Sequence, residues 1–160
     1  MRLPALTLAS LLIVAGCAGY SGGNLQPGAS EIEVRSVMGP PAMELRDPDG
    51  TRLLYYPRGP LGNQTYVASL NPGGTLTQVS NVLNDGTFNA IRPGLTEHEV
   101  LRMIGPPREK DYFSNLGQTA WDYKFQDAWG YEAIFSVMID KNGIVVSKFT
   151  KRIERVDRGR

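Results

Sequence analysis

The chain has 160 residues, 41% of them apolar, and a formal charge of +1. That length fits one compact body or two small ones, and the balanced charge gives no reason to expect nucleic acid. With one Cys and one His there are too few ligands for a zinc site and no disulfide within the chain, so no metal, cofactor or catalytic residue is expected.

Arg2 is a minimal positive start, and Leu3 to Val14 is an apolar run too short to span a bilayer. It ends in Val14-Ala15-Gly16-Cys17. This resembles the lipobox of bacterial lipoprotein signal peptides. The resemblance implies residues 1–16 as a signal peptide, cleavage between Gly16 and Cys17, and acylation of Cys17 by palmitate-type chains. Two or three such chains hold a protein on a membrane. An ordinary secretory signal with a stray Cys, or a short membrane anchor, are the alternatives. Ala18 rather than Asp follows the Cys, which in these lipoproteins implies the outer membrane and its periplasmic face. Cleavage removes Arg2 and leaves the mature chain formally neutral. Residues 17–27 are rich in Gly, Ser and Asn and read as a lipidated flexible tether.

One stretch occurs twice. Pro27-Gly28-Ala29-Ser30-Glu31-Ile32-Glu33-Val34-Arg35-Ser36-Val37-Met38-Gly39-Pro40-Pro41 returns 66 positions later as Pro93 to Pro107, with eight of fifteen positions identical. A ladder at fixed offset marks a duplicated unit. Each copy predicts a two-turn helix. Ser30 and Thr96 suit N-caps, and Glu33 and Glu99 complete S/T-x-x-E capping boxes. Gly39 and Gly105 suit the helix end, and the Pro pairs stop it. Val34, Val37 and Met38, like Val100, Met103 and Ile104, fall on one face. Helices this short need packing to persist.

Strands follow each helix. In the first unit, residues 28–84, Thr51 to Tyr56, Gln64 to Leu70 and Leu76 to Leu83 read as strands between Gly- and Pro-rich turns. The second unit, residues 85–153, opens with a short helix over Thr87 to Ile91, capped by Asp85 or Thr87. Its strands are Ala120 to Gln126, Tyr131 to Ile139 and Ile144 to Ile153. Trp121, Tyr123 and Phe125 share one face. The inward set of the last strand is either Val145 and Phe149 or Ile144 and Val146. The expected fold class is therefore α+β: two tandem, adjacent units, each with short helices packed on a three-stranded antiparallel meander, their sheets either separate or joined edge to edge. Residues 154–160 form a basic tail.

The pattern Gly94-x-Thr96-x-x-Glu99-Val100-x-x-x-Ile104-Gly105-x-Pro107, followed by Trp121-x-Tyr123 and Asp140-x-x-Gly143, resembles the SmpA/OmlA (BamE-like) lipoprotein family. The resemblance covers most of residues 85–153, and residues 28–83 more weakly. It implies a non-enzymatic binding and scaffold protein of the outer membrane. Its protein partner would lie in the periplasm, in the machine that inserts β-barrels. The best-known member carries one such unit where this chain carries two. The tandem layout also resembles the β-lactamase inhibitor proteins, in which two units make one long concave sheet. That resemblance implies an inhibitor or ligand-binding module.

Among single residues, His98 stands between Glu97 and Glu99 but lacks a nucleophile or second base, so an exposed helix position is expected. Trp121, Tyr123 and Phe125 are expected in the core. Trp129 falls in a break between strands, beside Tyr131, and is either a partner contact or local packing; Trp and Tyr are enriched in interface hot spots. The corresponding loop of the first unit offers Arg58 and Leu61. The end of the chain, Lys151 to Arg160, carries five cations and two acids. It is either a solvated end or a surface for anionic headgroups.

Overall fold

A computed structural model describes residues 22–57 and 62–153. The signal segment, Gly16, Cys17, Arg58, Leu61 and the tail from 154 lie outside the described residues. The elements in order are α1 (Glu31–Met38), β1 (Met43–Arg46), β2 (Arg52–Pro57), β3 (Thr65–Leu70), β4 (Leu76–Asn81), α2 (Asp85–Ala90), α3 (Glu97–Ile104), β5 (Glu109–Phe113), β6 (Gln118–Gln126), β7 (Glu132–Asp140) and β8 (Val145–Arg152).

The expected fold class is overturned. The chain is mostly β, with two antiparallel four-stranded sheets ordered β1-β2-β3-β4 and β5-β6-β7-β8; the helices are short, α1 before the first sheet and α2 and α3 before the second. β1 and β5 are the strands that the expectation omitted. Both are edge strands, hydrogen-bonded on one side only. β5 reads Glu-Lys-Asp-Tyr-Phe and is exposed along its whole length, so it has no apolar alternation. The sheets are also two separate sheets, not one joined edge to edge.

The duplication is written into the hydrogen bonds. Before α1, Gly28 and Glu31 donate to the Leu76 and Gly74 carbonyls, and Leu76 donates back to Ala29. Before α3, Gly94 and Glu97 donate to Val145 and Gly143, and Val145 donates back to Leu95. Each helix thus enters from a short stretch bridged to the last hairpin of its own sheet, at Ser30–Thr75 and Thr96–Ile144. Both helices end on a positive-φ glycine, Gly39 and Gly105, whose N–H closes the last turn.

The starts differ. Thr96 and Glu99 form the full capping box, with Thr96 N–H donating to Glu99 at 2.7 Å. At α1 only the Ser30 half is made, with Glu33 N–H donating to Ser30 Oγ at 3.3 Å. Glu31 is the anchor there instead. It accepts from Arg35 Nε at 3.0 Å and from both terminal nitrogens of Arg52. The second unit's extra helix spans Asp85–Ala90 and is capped by Asn84, ahead of both expected caps, Asp85 and Thr87.

Two cores result. Val34 and Met38 of α1 pack with Leu54, Tyr56, Ala68, Leu70 and Leu76. Leu25, read as tether, also packs here, and Leu25 N–H turns back to the Gly22 carbonyl at 2.7 Å. The larger core joins Phe88 of α2, Val100 and Ile104 of α3, and Trp121, Tyr123, Phe125, Phe135, Val137, Ile139 and Val145. Phe88 stacks on Phe135 at 4.1 Å and meets Phe125 edge-on at 4.7 Å. Lys148 Nζ donates to the Phe88 and Asn89 carbonyls and closes the end of α2.

The units meet through α3. Tyr55 points to the face of the first sheet opposite Leu54 and Tyr56, yet it is fully buried. Its hydroxyl donates to the Arg102 carbonyl at 2.6 Å. Arg102 in turn holds Asp47 through two bonds of 2.8 and 2.6 Å. A helix of the second unit therefore covers the back of the first sheet.

Candidate functional site

Four hairpin turns share one chemistry: an Asp or Asn whose carbonyl accepts from a positive-φ Gly three residues on. They are Asp47–Gly50, Asn71–Gly74, Asp127–Gly130 and Asp140–Gly143. In the last two the acid also takes backbone N–H groups on one oxygen. Asp140 Oδ1 accepts from Asn142 and Ile144. Asp127 Oδ1 accepts from Trp129 and Tyr131, both at 2.9 Å. These bonds need only the acid and the glycine. The middle positions are Pro48-Asp49, Pro72-Gly73 and Lys141-Asn142 in three turns, all usual turn residues. In the fourth they are Ala128-Trp129, and Tyr131 follows.

Trp129 is 75% exposed and Tyr131 58% exposed, so neither supports a core. Both rings lie 4.9 Å from the Arg152 guanidinium carbon. Arg152, at the end of β8, reaches across to donate from Nε to Asp127 Oδ2 at 2.7 Å. One carboxylate thus orders the turn with one oxygen and fixes the arginine with the other. Partial desolvation works against the charged form of Asp127. The N–H groups of Tyr131 and Trp129, and the Arg152 guanidinium, prevail and hold its carboxyl below the usual range. Gln126 Nε2 closes the tip by donating to the Gly130 carbonyl at 2.9 Å. Two aromatics and an arginine are held in place before any partner arrives, which lowers the entropic cost of contact.

The sequence named Trp129 and Tyr131, and the structure brings them together. It leaves both rings largely exposed, each against the Arg152 guanidinium. Arg152 and Asp127 were missed as members of the tip. In sequence Arg152 falls within the charged chain end Lys151 to Arg160, and the sign of Asp127 is the repeated Asx-x-x-Gly spacing. Trp121, Tyr123 and Phe125 are buried in the second core. His98 is exposed on α3, and the Glu99 carboxylate beside it is taken up by the cap. Among the described residues no three His, Cys, Asp or Glu side chains gather as metal ligands, and no helix is long and apolar enough to cross a membrane.

A crevice of about 190 Å³ opens at the joint between units, lined by Pro57, Gln64, Pro106, Pro107, Arg108 and Tyr123 among others. Tyr123 is committed there to the Gly105 carbonyl at 3.1 Å, and burial pushes its phenol well above the ordinary value. Among the described residues that line the crevice there is no carboxylate and no histidine. No protein-family model and no curated protein matches the chain.

Proposed function

We propose that the protein is a lipid-anchored binding module at the periplasmic face of the outer membrane, and that it works by contact and not by catalysis. Cys17 carries the anchor, the doubled helix-and-sheet body is the scaffold, and the Trp129 tip is the contact. The observation that supports this most is the tip itself. Trp, Tyr and Arg are residue types that dominate binding hot spots, and here Trp129 and Tyr131 are preset on a turn whose geometry needs neither, with Arg152 of β8 held against them. The lipobox resemblance supports the location, and the BamE-like pattern supports an envelope-assembly role. The separate sheets, and α3 lying against the first of them, favour this reading over a tandem inhibitor that grips through one continuous concave sheet.

A photo-crosslinking amino acid at Ala128, in the full chain in intact cells, tests the contact. A discrete protein adduct at Ala128, absent when the same group is placed at Asn142 on the neighbouring turn, is the expected result. Identical adduct patterns at both turns sink the reading. Mass spectrometry of the mature N-terminus tests the anchor. An unmodified Cys17 thiol or a retained leader rules it out.

A further inference from the structure

We infer that the tip receives a protein segment carrying a carboxylate next to an apolar side chain, so that the partner presents an acidic–apolar stretch. This rests on the contact role of the tip proposed above. The argument starts from what Arg152 has left to give. Its Nε is bonded to Asp127, and its two terminal amino groups have no partner among the described residues. A guanidinium pinned at Nε still offers a pair of parallel donors, the geometry that matches a carboxylate. Trp129 and Tyr131 flank it at 4.9 Å each. They exclude water from part of its surface, which strengthens an incoming charge-assisted bond. They also offer apolar area for the residue beside the carboxylate.

Other occupants fit less well. An aromatic pair is a common receptor for cations, but Arg152 already fills that place. A membrane surface attracts broad positive patches. Here carboxylates interrupt the charge: Asp127 beneath the tip, and Glu132, which is paired to Lys124 at 2.7 Å. A guanidinium set between two rings suits one carboxylate on a chain better than a sheet of headgroups.

The test is selection of random peptides displayed on phage against the full chain, followed by binding measured from the fluorescence of the exposed Trp129. Enriched peptides are expected to pair Asp or Glu with an apolar neighbour. Arg152→Gln is expected to weaken them at least about tenfold, the loss of a charge-assisted pair of bonds. Arg152→Lys keeps a charge but loses the fork and is expected to fall between. Backbone amide shifts of Trp129 and Tyr131 check that the turn survives, since Asp127 still holds both. Enrichment of basic or uncharged peptides, no enrichment, or equal binding by Arg152→Gln overturns the inference. Trp129-dependent partition onto phosphatidylglycerol vesicles without peptide enrichment also overturns it, in favour of a membrane. If Ala128 adducts in cells persist unchanged in Arg152→Gln, the carboxylate is wrong and the contact role stands.

Discussion

The first sheet is covered on both faces by helices, and the second on only one. In the first unit α1 lies on the face of Leu54, Tyr56 and Ala68, and the end of α3 lies against Tyr55 on the other. In the second unit α2 and α3 share one face, and no described helix lies on the other, whose margins expose Phe113, Phe149 and Ile153. The strands record this. β2 reads Leu54-Tyr55-Tyr56, three buried residues in a row, as a strand wanted on both faces should. β6 alternates buried Trp121, Tyr123 and Phe125 with less buried Asp122, Lys124 and Gln126, while beside it β7 buries Phe135 to Ile139 without a break, so the outer face of the second sheet opens at its margins and not at its centre. The same unit, used twice, is thus a packed layer in one place and a platform in the other. The platform unit, with α2 added, has the larger core and carries the tip.

If the second core is the main store of stability, truncation there costs most. Phe135→Ala removes the ring under Phe88 and is expected to cost about 3–5 kcal/mol in denaturant unfolding. Tyr66→Ala, at the equivalent place in the first unit but half-buried, is expected to cost clearly less. Equal losses would mean that the cores contribute alike. The joint comes next. A Cβ on Gly105 would lie 2.8 Å from Tyr55 Cδ1 and 3.2 Å from Thr65 Cγ2, at a φ of +76°. Gly105→Ala is expected to cost about 2–4 kcal/mol, backbone strain plus a clash between units. Gly94→Ala, with a φ of +92° and open space around it, bears the strain alone, about 1 kcal/mol. A Gly105→Ala variant no worse than Gly94→Ala would mean that the units do not press on each other at this point.

Helix ends and turns were legible in the sequence because their causes are local. Ser30, Thr96, Gly39 and Gly105 act within a turn of chain, and so do Asp140 and Gly143. The one-sided face of β6 was legible for the same reason. The charged edge strand β5 was not, because Glu109, Lys110 and Asp111 carry no burial pattern, and only pairing to β6 makes them a strand. The helix against Tyr55 depends on a residue 47 positions away. The inward face of β8 was ambiguous for a definite reason. The register shifts between Met138 and Ile139, leaving Val146 unpaired, so Val145 points inward while Phe149 points out. Alternation read straight through cannot give both. At the tip, Trp129 was visible as an oddity, but the arginine that makes it a site comes from a strand 23 positions on.

Alkaline pH should act on both units at once. Desolvation by burial pushes the phenols of Tyr55 and Tyr56 up to about 12, and raises Tyr123 further. Each is an acid whose folded pKa exceeds its unfolded value near 10, so the unfolded state ionises first. Their stabilising effect is complete below pH 10 and is lost as pH climbs through about 12. Circular dichroism against pH, with phenolate absorbance near 295 nm as the second signal, checks this. The expected result is that a part of the phenolate absorbance, from the three buried rings among the seven tyrosines, appears only together with unfolding. Phenolate absorbance that rises fully before any unfolding would mean that the three rings are open to water.

The smallest difference lies at the helix starts. Thr96→Ala breaks a closed capping box and is expected to cost about 1 kcal/mol. Ser30→Ala removes one 3.3 Å bond from a helix that Glu31, Arg35 and Arg52 already tie to the sheet, so its cost should be smaller. The glutamates separate the two designs more sharply. Glu99 accepts from the Thr96 backbone and hydroxyl, and those bonds, the backbone one foremost, hold its carboxyl below the ordinary value of 4.5. Its contribution is present above that pH and fades as pH falls through the lowered value. Glu33 makes no matching bond back to Ser30. Glu99→Ala should therefore destabilise at pH 7 and lose its effect in acid, while Glu33→Ala should be silent at both. Denaturant midpoints for the two variants at pH 7 and pH 3 decide it. A Glu33→Ala loss equal to that of Glu99→Ala would mean that α1 closes the same box in solution, and that the units differ in what covers their sheets but not in how their helices begin.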